Sequence, residues 1–170
     1  MLCGDVKPEQ GKIIVKGKQM KAASAADGVE AGIGLVPEDR KLEGVFLDYT
    51  IEWNIPIMSM KKISHRGIVN FKKADEMTGK YVNRLGIKTP TVKQLVRNLS
   101  GGNQQKVVVA MVLAADNDVL IFDEPTRGID VGAKQEIYKL MNQLVEEGRS
   151  ILMISSEMEE LLGMSDRILV

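Results

Sequence analysis

Apolar positions divide the chain into two textures. In the second half, short continuous apolar runs alternate with stretches that are apolar at every third or fourth position. Residues 119–122 (VLIF) form a run stopped by Asp123-Glu124-Pro125, which predicts a central parallel strand. Ile137, Leu140, Met141, Leu144 and Val145 mark an amphipathic helix closed by Gly148. Residues 151–154 predict another buried strand, 158–162 a short helix and 168–170 a last strand. Upstream, 107–115 (VVVAMVLAA) is apolar all round, so periodicity does not separate strand from helix. Ser100 as an N-cap, followed by the polar turn Asn103-Gln104-Gln105-Lys106, favours a buried helix. The capping box is only half present, because position 103 is Asn.

The first half is less regular. Residues 12–16 (KIIVK) read as a strand between Gly11 and Gly17, and 33–36 as a second strand ended by Pro37. Phe71, Ala74, Met77, Tyr81, Val82 and Leu85 share one face of a helix over 71–85, with Pro90 shortly beyond. Alternating helix and strand imply an α/β fold with a mainly parallel sheet and right-handed crossovers. The expected organisation is an α/β core from about 1–39 and 99–170, with an inserted helical lobe at about 40–98. The pattern runs into both chain ends, which reads as a fragment.

Composition narrows the function classes. At 170 residues, 44% apolar and 27% charged, the chain resembles an ordinary globular domain. Lys plus Arg and Asp plus Glu both number 23, so net charge points to no nucleic acid. A single cysteine, Cys3, excludes an internal disulfide and a cysteine-rich zinc site. No run approaches the roughly 20 apolar residues that span a bilayer, so a membrane role would come through a partner. His65, the single histidine, sits in a polar run and fits a surface or capping role.

Two segments carry chemistry. Gly101 and Gly102 follow Ser100 at a predicted helix start, where exposed amides and the helix dipole suit a phosphate. Taken alone, those three residues fit a plain capped helix better, since capped helix starts are common. Asp123 and Glu124 then stand at the carboxyl end of a buried strand, where open α/β sheets bind ligands. Adjacent carboxylates ask for a cation, and Mg²⁺ bridging nucleotide phosphates meets that need.

In sequence order, LSGGNQQ, LIFDEPTRGID and ILMISSEMEE resemble the signature motif, the Walker B segment with its D-loop, and the switch segment of ABC ATPases. The texture is similar to the second nucleotide-binding half of tandem ATPases serving bacterial ribose, galactose and related monosaccharide importers; GLVPEDRK at 34–41 and LGIKTP at 85–90 also match. The resemblance implies a partial P-loop, RecA-like ABC ATPase core with an inserted helical subdomain. It implies ATP and Mg²⁺ as cofactors and ATP hydrolysis coupled to sugar uptake at the cytoplasmic face of the cell membrane. Implied partners are the other nucleotide-binding half, transmembrane permease subunits and, indirectly, a sugar-binding protein. Ser100, Gly101 and Gly102 would meet the γ-phosphate of ATP held by the opposing half, with Gln105 nearby. Asp123 would hold Mg²⁺ through water, Glu124 would act as general base, and Asp130 would be the D-loop residue. Asp130 also fits the N-cap of the following helix.

Three departures qualify the resemblance. No G-x-x-x-x-G-K-[ST] occurs in the chain, and residues 2–17 resemble the segment just after that loop. Glu38 occupies the Q-loop position where the family has Gln. Ser156 occupies the switch position that is usually His, which brings hydrolysis at this half's own site into question. Taken alone, the fragment is expected to be inactive. The alternatives are a non-transport ABC ATPase, or a non-catalytic half lending only its signature motif. Three further expectations follow: Trp53 lies in the lobe's core or at a permease interface, strand 119–122 has an unpaired edge, and Gly102→Asp leaves the fold intact.

Overall fold

The computed structural model describes Cys3, residues 10–21 and residues 23–169. Its centre is a three-stranded parallel sheet of β3 (Ile33–Val36), β6 (Val119–Asp123) and β7 (Ser150–Ile154), in the order β3-β6-β7. Val36 aligns with Phe122, and Asp123 with Ile154, so Asp123 stands at the carboxyl end of the middle strand. Strand 119–122 is therefore paired on both sides, and the expectation of an unpaired edge there fails. Among the described strands, the sheet edges are β3 and β7.

One face of this sheet carries most of the core. Leu120 and Phe122 of β6 point at α5 (Gly101–Ala114) and α6 (Val131–Glu146), where Val107, Leu113, Ile137 and Leu144 are fully buried. Residues 104–114 of α5 are all buried, which explains an apolar run with no helical stripe. Ile33 and Ile121 face the other way, into a smaller cluster with Met20. That cluster lies under a short hairpin, β1 (Ile14–Val15) with β2 (Lys18–Gln19). A helix, α1 (Ala25–Glu30), leads from the hairpin into β3.

Strand β7 departs from its expectation of full burial. Ile151 and Met153 pack on the main core, whereas Leu152 and Ile154, on the opposite face, are 38% and 47% exposed. Alternation of side chains along a strand makes this a consequence of one face being uncovered. The strand expected at 168–170 is not formed over Ile168 and Leu169, and Val170 lies outside the described residues. Leu2 and Gly4, which carry part of the resemblance at the N-terminus, also lie outside them.

Between β3 and α5 the chain forms mainly helical turns. A π-helical turn (Arg40–Gly44) comes first, then α2 (Ile51–Asn54), a 3-10 turn (Ile57–Ser59) and α3 (Met60–Ile63). A hairpin of β4 (Ser64–His65) and β5 (Ile68–Val69) follows, and places His65 at its tight turn. Helix α4 (Phe71–Arg84) begins with Asn70 accepting from the Lys73 amide. Tyr81 and Leu85 bury against α5, and the Tyr81 hydroxyl donates to the Leu113 carbonyl at 3.0 Å. Trp53 is 48% exposed and meets Phe71 edge to face, so it lies on the surface of this region. Helix α7 (Met158–Met164) ends the described structure. Among the described residues, no helix is long and apolar enough to cross a membrane.

Candidate functional site

The start of α5 is open at the backbone. Ser100 occupies the N-cap position in an extended conformation but makes no capping hydrogen bond. Its Oγ instead accepts from Asn103 Nδ2 at 2.9 Å, and Asn103 Oδ1 accepts from the Lys88 amide. The first intrahelical bond is that of the Gln104 amide to the Ser100 carbonyl. The first-turn amides before it have no helical acceptor and point outward from the helix end. Both glycines sit at close approaches, and Gly102 is the one whose neighbour cannot swing aside. A Cβ on Gly101 would lie 2.9 Å from Arg40 Nη2, and one on Gly102 would lie 2.8 Å from Ala133 Cβ. Ala133 belongs to the first turn of α6, so the two helix starts touch. A side chain at 102 would force that contact apart, and Gly102→Asp is not neutral for the fold as expected.

Gln105 is only 2% exposed and lies in the core, so it offers no surface to a ligand. Its expected place beside a phosphate is not met, because it sits on the inward face of α5. Neighbouring Gln104 is also buried and donates to the Val96 and Leu99 carbonyls, which fixes the turn before the helix.

The carboxylates lie at the end of the middle strand. Asp123 ends β6. Glu124 has φ +44°, a left-handed conformation that costs a residue with a Cβ about 1–2 kcal/mol. Three bonds hold it there. Its amide donates to the Ile154 carbonyl at 2.9 Å, its carbonyl accepts from the Arg127 amide at 3.1 Å, and its Oε1 accepts from the Ser156 amide at 2.7 Å. Glu124 and Ser156 are thus brought together, through the backbone of Ser156 and not its hydroxyl. Among the described residues, no group of three or more His, Cys, Asp or Glu side chains could hold a metal by itself.

Asp130 caps α6, accepting from the Ala133 amide at 2.9 Å. Glu38 forms an ion pair with Arg127, immediately beyond the Asp-Glu-Pro-Thr turn. The same turn is tied from below by Glu160, which is 5% exposed. The Glu160 carboxylate accepts from the Thr126 hydroxyl, from Tyr138 at 2.5 Å and from Ser155 at 2.7 Å, with Lys134 at 3.5 Å. Burial pushes its pKa up, but the Thr126, Tyr138 and Ser155 hydroxyls and the Lys134 charge outweigh it and hold the group below the usual carboxylate value. Sequence reasoning quoted Arg40, Arg127 and Glu160 within motifs but gave them no role. Their partners lie far along the chain, and no local pattern signals them.

The ABC transporter family model matches residues 1–127. The xylose import ATP-binding protein XylG of Thermoanaerobacter pseudethanolicus is 50% identical over 95% of this chain and 32% of its own length. The ribose import ATP-binding protein RbsA of Oceanobacillus iheyensis is 48% identical over 95% of this chain and 33% of its own length. The chain therefore spans about a third of the length of these curated relatives. The solved structure of cbiO1 from Clostridium perfringens, part of the ABC transporter complex cbiONQ, superposes with a TM-score of 0.73. It covers 92% of this chain and 60% of that one at 24% identity, and so supports the α/β fold alone. With a parallel sheet ending in Asp123-Glu124 and a helix opening on Ser-Gly-Gly, the chain belongs to the ABC transporter family.

Proposed function

We propose that this chain is part of an ATP-binding and ATP-hydrolysing subunit that drives monosaccharide import. The observation that carries the reading is the open start of α5, where the Ser100 side chain makes no capping hydrogen bond to the first-turn amides. Anionic oxygen is the ligand that such a helix end suits. The proposed division of the site is 1–39 and 99–170 as the α/β core, with 40–98 as the helical subdomain.

In this reading Ser100, Gly101 and Gly102 present hydrogen-bond donors to the γ-phosphate of a nucleotide carried by a second nucleotide-binding half. Asp123 fits a hydrated Mg²⁺, which favours one or two carboxylates and otherwise keeps water. When bound, that ion neutralises phosphate charge. Glu124 accepts a proton from, or orients, the attacking water, and the Ser156 amide fixes its carboxylate. Glu38 belongs to the same loop cluster, and Asp130 sets the D-loop by capping α6. The exposed aromatics Phe46, Tyr49 and Trp53 offer a surface for permease subunits, which would hold the protein at the cytoplasmic face of the membrane. The similarity to xylose and ribose import ATP-binding proteins supports a monosaccharide as cargo.

Ser100→Asp in the complete subunit tests the reading. Aspartate is a good N-cap and agrees with the helix dipole, so the melting temperature holds or rises. A carboxylate against phosphate in a desolvated interface lowers turnover by about a hundredfold. Near-normal turnover would remove the phosphate role of α5.

A further inference from the structure

We propose that Arg40 is a positioning residue that fixes the 127–128 segment against the start of α5. This rests on the nucleotide reading above and adds to it a part that neither the glycines nor the carboxylates supply. Three consecutive residues, Glu38, Asp39 and Arg40, carry the task. Pro37 follows the last strand residue. Glu38 pairs with Arg127. Asp39 Oδ1 accepts from the Lys41 and Leu42 amides, at 2.9 and 3.1 Å, and so starts the π-helical turn. That turn rests on α5, because a Cβ on Gly44 would come within 2.9 Å of Val108 Cγ2.

The turn aims Arg40 at two carbonyls. Nη1 donates to Arg127 O at 3.0 Å and Nη2 to Gly128 O at 3.3 Å. The second of these residues has φ +66°, a conformation open to glycine, which leaves its carbonyl turned toward the guanidinium. The same Nη2 fills the space beside Gly101 that a Cβ would occupy. One side chain therefore binds the backbone ahead of Asp130 and lies beside Gly101 of the signature segment. Among the described residues, the buried Arg40 Nε has no acceptor. An orphaned donor costs stability, so tight packing alone does not explain this placement. Lysine could not replace the fork, because a point charge on a flexible stem does not hold two carbonyls in one geometry.

The experiment is hydrogen exchange with steady-state kinetics on the complete subunit, comparing wild type with Arg40→Ala and Arg40→Lys. Loss of two charge-assisted bonds should speed exchange of the amides over 127–133 by about tenfold, with α4 amides unchanged as the internal control. Arg40→Lys should not restore the slow exchange. Turnover should fall by about tenfold while KM for MgATP stays within about twofold, since the geometry matters to the transition state more than to binding. Unchanged exchange over 127–133 overturns the proposal, as does an unchanged kcat. A rise in KM with kcat preserved overturns it as well. The nucleotide reading is judged separately, by Ser100→Asp. Normal turnover in that variant removes the reading, whereas the exchange result still decides the Arg40 contact.

Discussion

Helix α5 and strand β7 flank the candidate site, and they are supported in opposite ways. The body of α5 is buried from 104 to 114, so its opening turn is presented by a helix that the core holds on every side. Strand β7 is covered on one face and pairs with β6 on one edge, yet its end fixes Glu124 through the Ile154 carbonyl and the Ser156 amide. Backbone donors are thus presented by a helix buried over most of its length, and the carboxylate is held by the most exposed strand of the three-stranded sheet. The buried Glu160 compensates, since it ties Ser155, Thr126 and Tyr138 into one network beneath the exposed end. Rigidity comes from core packing at one side of the site and from a polar network at the other.

The sharpest break of this contrast is a matched pair of truncations. Leu113→Ala, at a fully buried position, should cost about 2–5 kcal/mol by urea denaturation, whereas Leu152→Ala on β7 should cost less than about 1 kcal/mol. Equal losses would show that β7 is as well supported as α5.

Glu160→Gln probes the polar side. The amide keeps an acceptor but loses the charge that faces three hydroxyl donors and Lys134, and about 1–3 kcal/mol should be lost near neutrality. Because the hydroxyl donors and Lys134 hold the folded carboxyl below the ordinary glutamate value, its contribution is present above that value and disappears as pH falls through the lower folded one. The variant's stability should accordingly decline less between about pH 5 and pH 3 than that of wild type. A parallel decline would mean that Glu160 is not the acid-sensitive group.

Ser156→His should have the smallest effect on stability, within about 0.5 kcal/mol, because the position is exposed and its structural role is a backbone amide. In the complete subunit it should raise turnover severalfold if the missing imidazole limits this half, and Glu38→Gln should add to the gain. Unchanged turnover in the double variant would place the limit elsewhere.

The amino-acid sequence by itself determined the elements. A continuous apolar run before Asp-Glu-Pro made β6, a helical stripe closed by glycine made α6, and Ser-Gly-Gly opened α5 where expected. It also carried the family, because the motifs are contiguous and ordered. Tertiary structure alone decided which side of an element is covered and which distant groups meet. The alternation of β7 reads as a buried strand until the uncovered face leaves Leu152 and Ile154 exposed. Gln105 stands three residues past Gly102, yet the rotation of α5 turns it into the core. Glu160 reads as one acid among several in a polar helix, and Arg40 as one charge in a loop. Periodicity reports a residue's position on its own element, whereas the partners of Arg40 and Glu160 come from segments brought together only by folding.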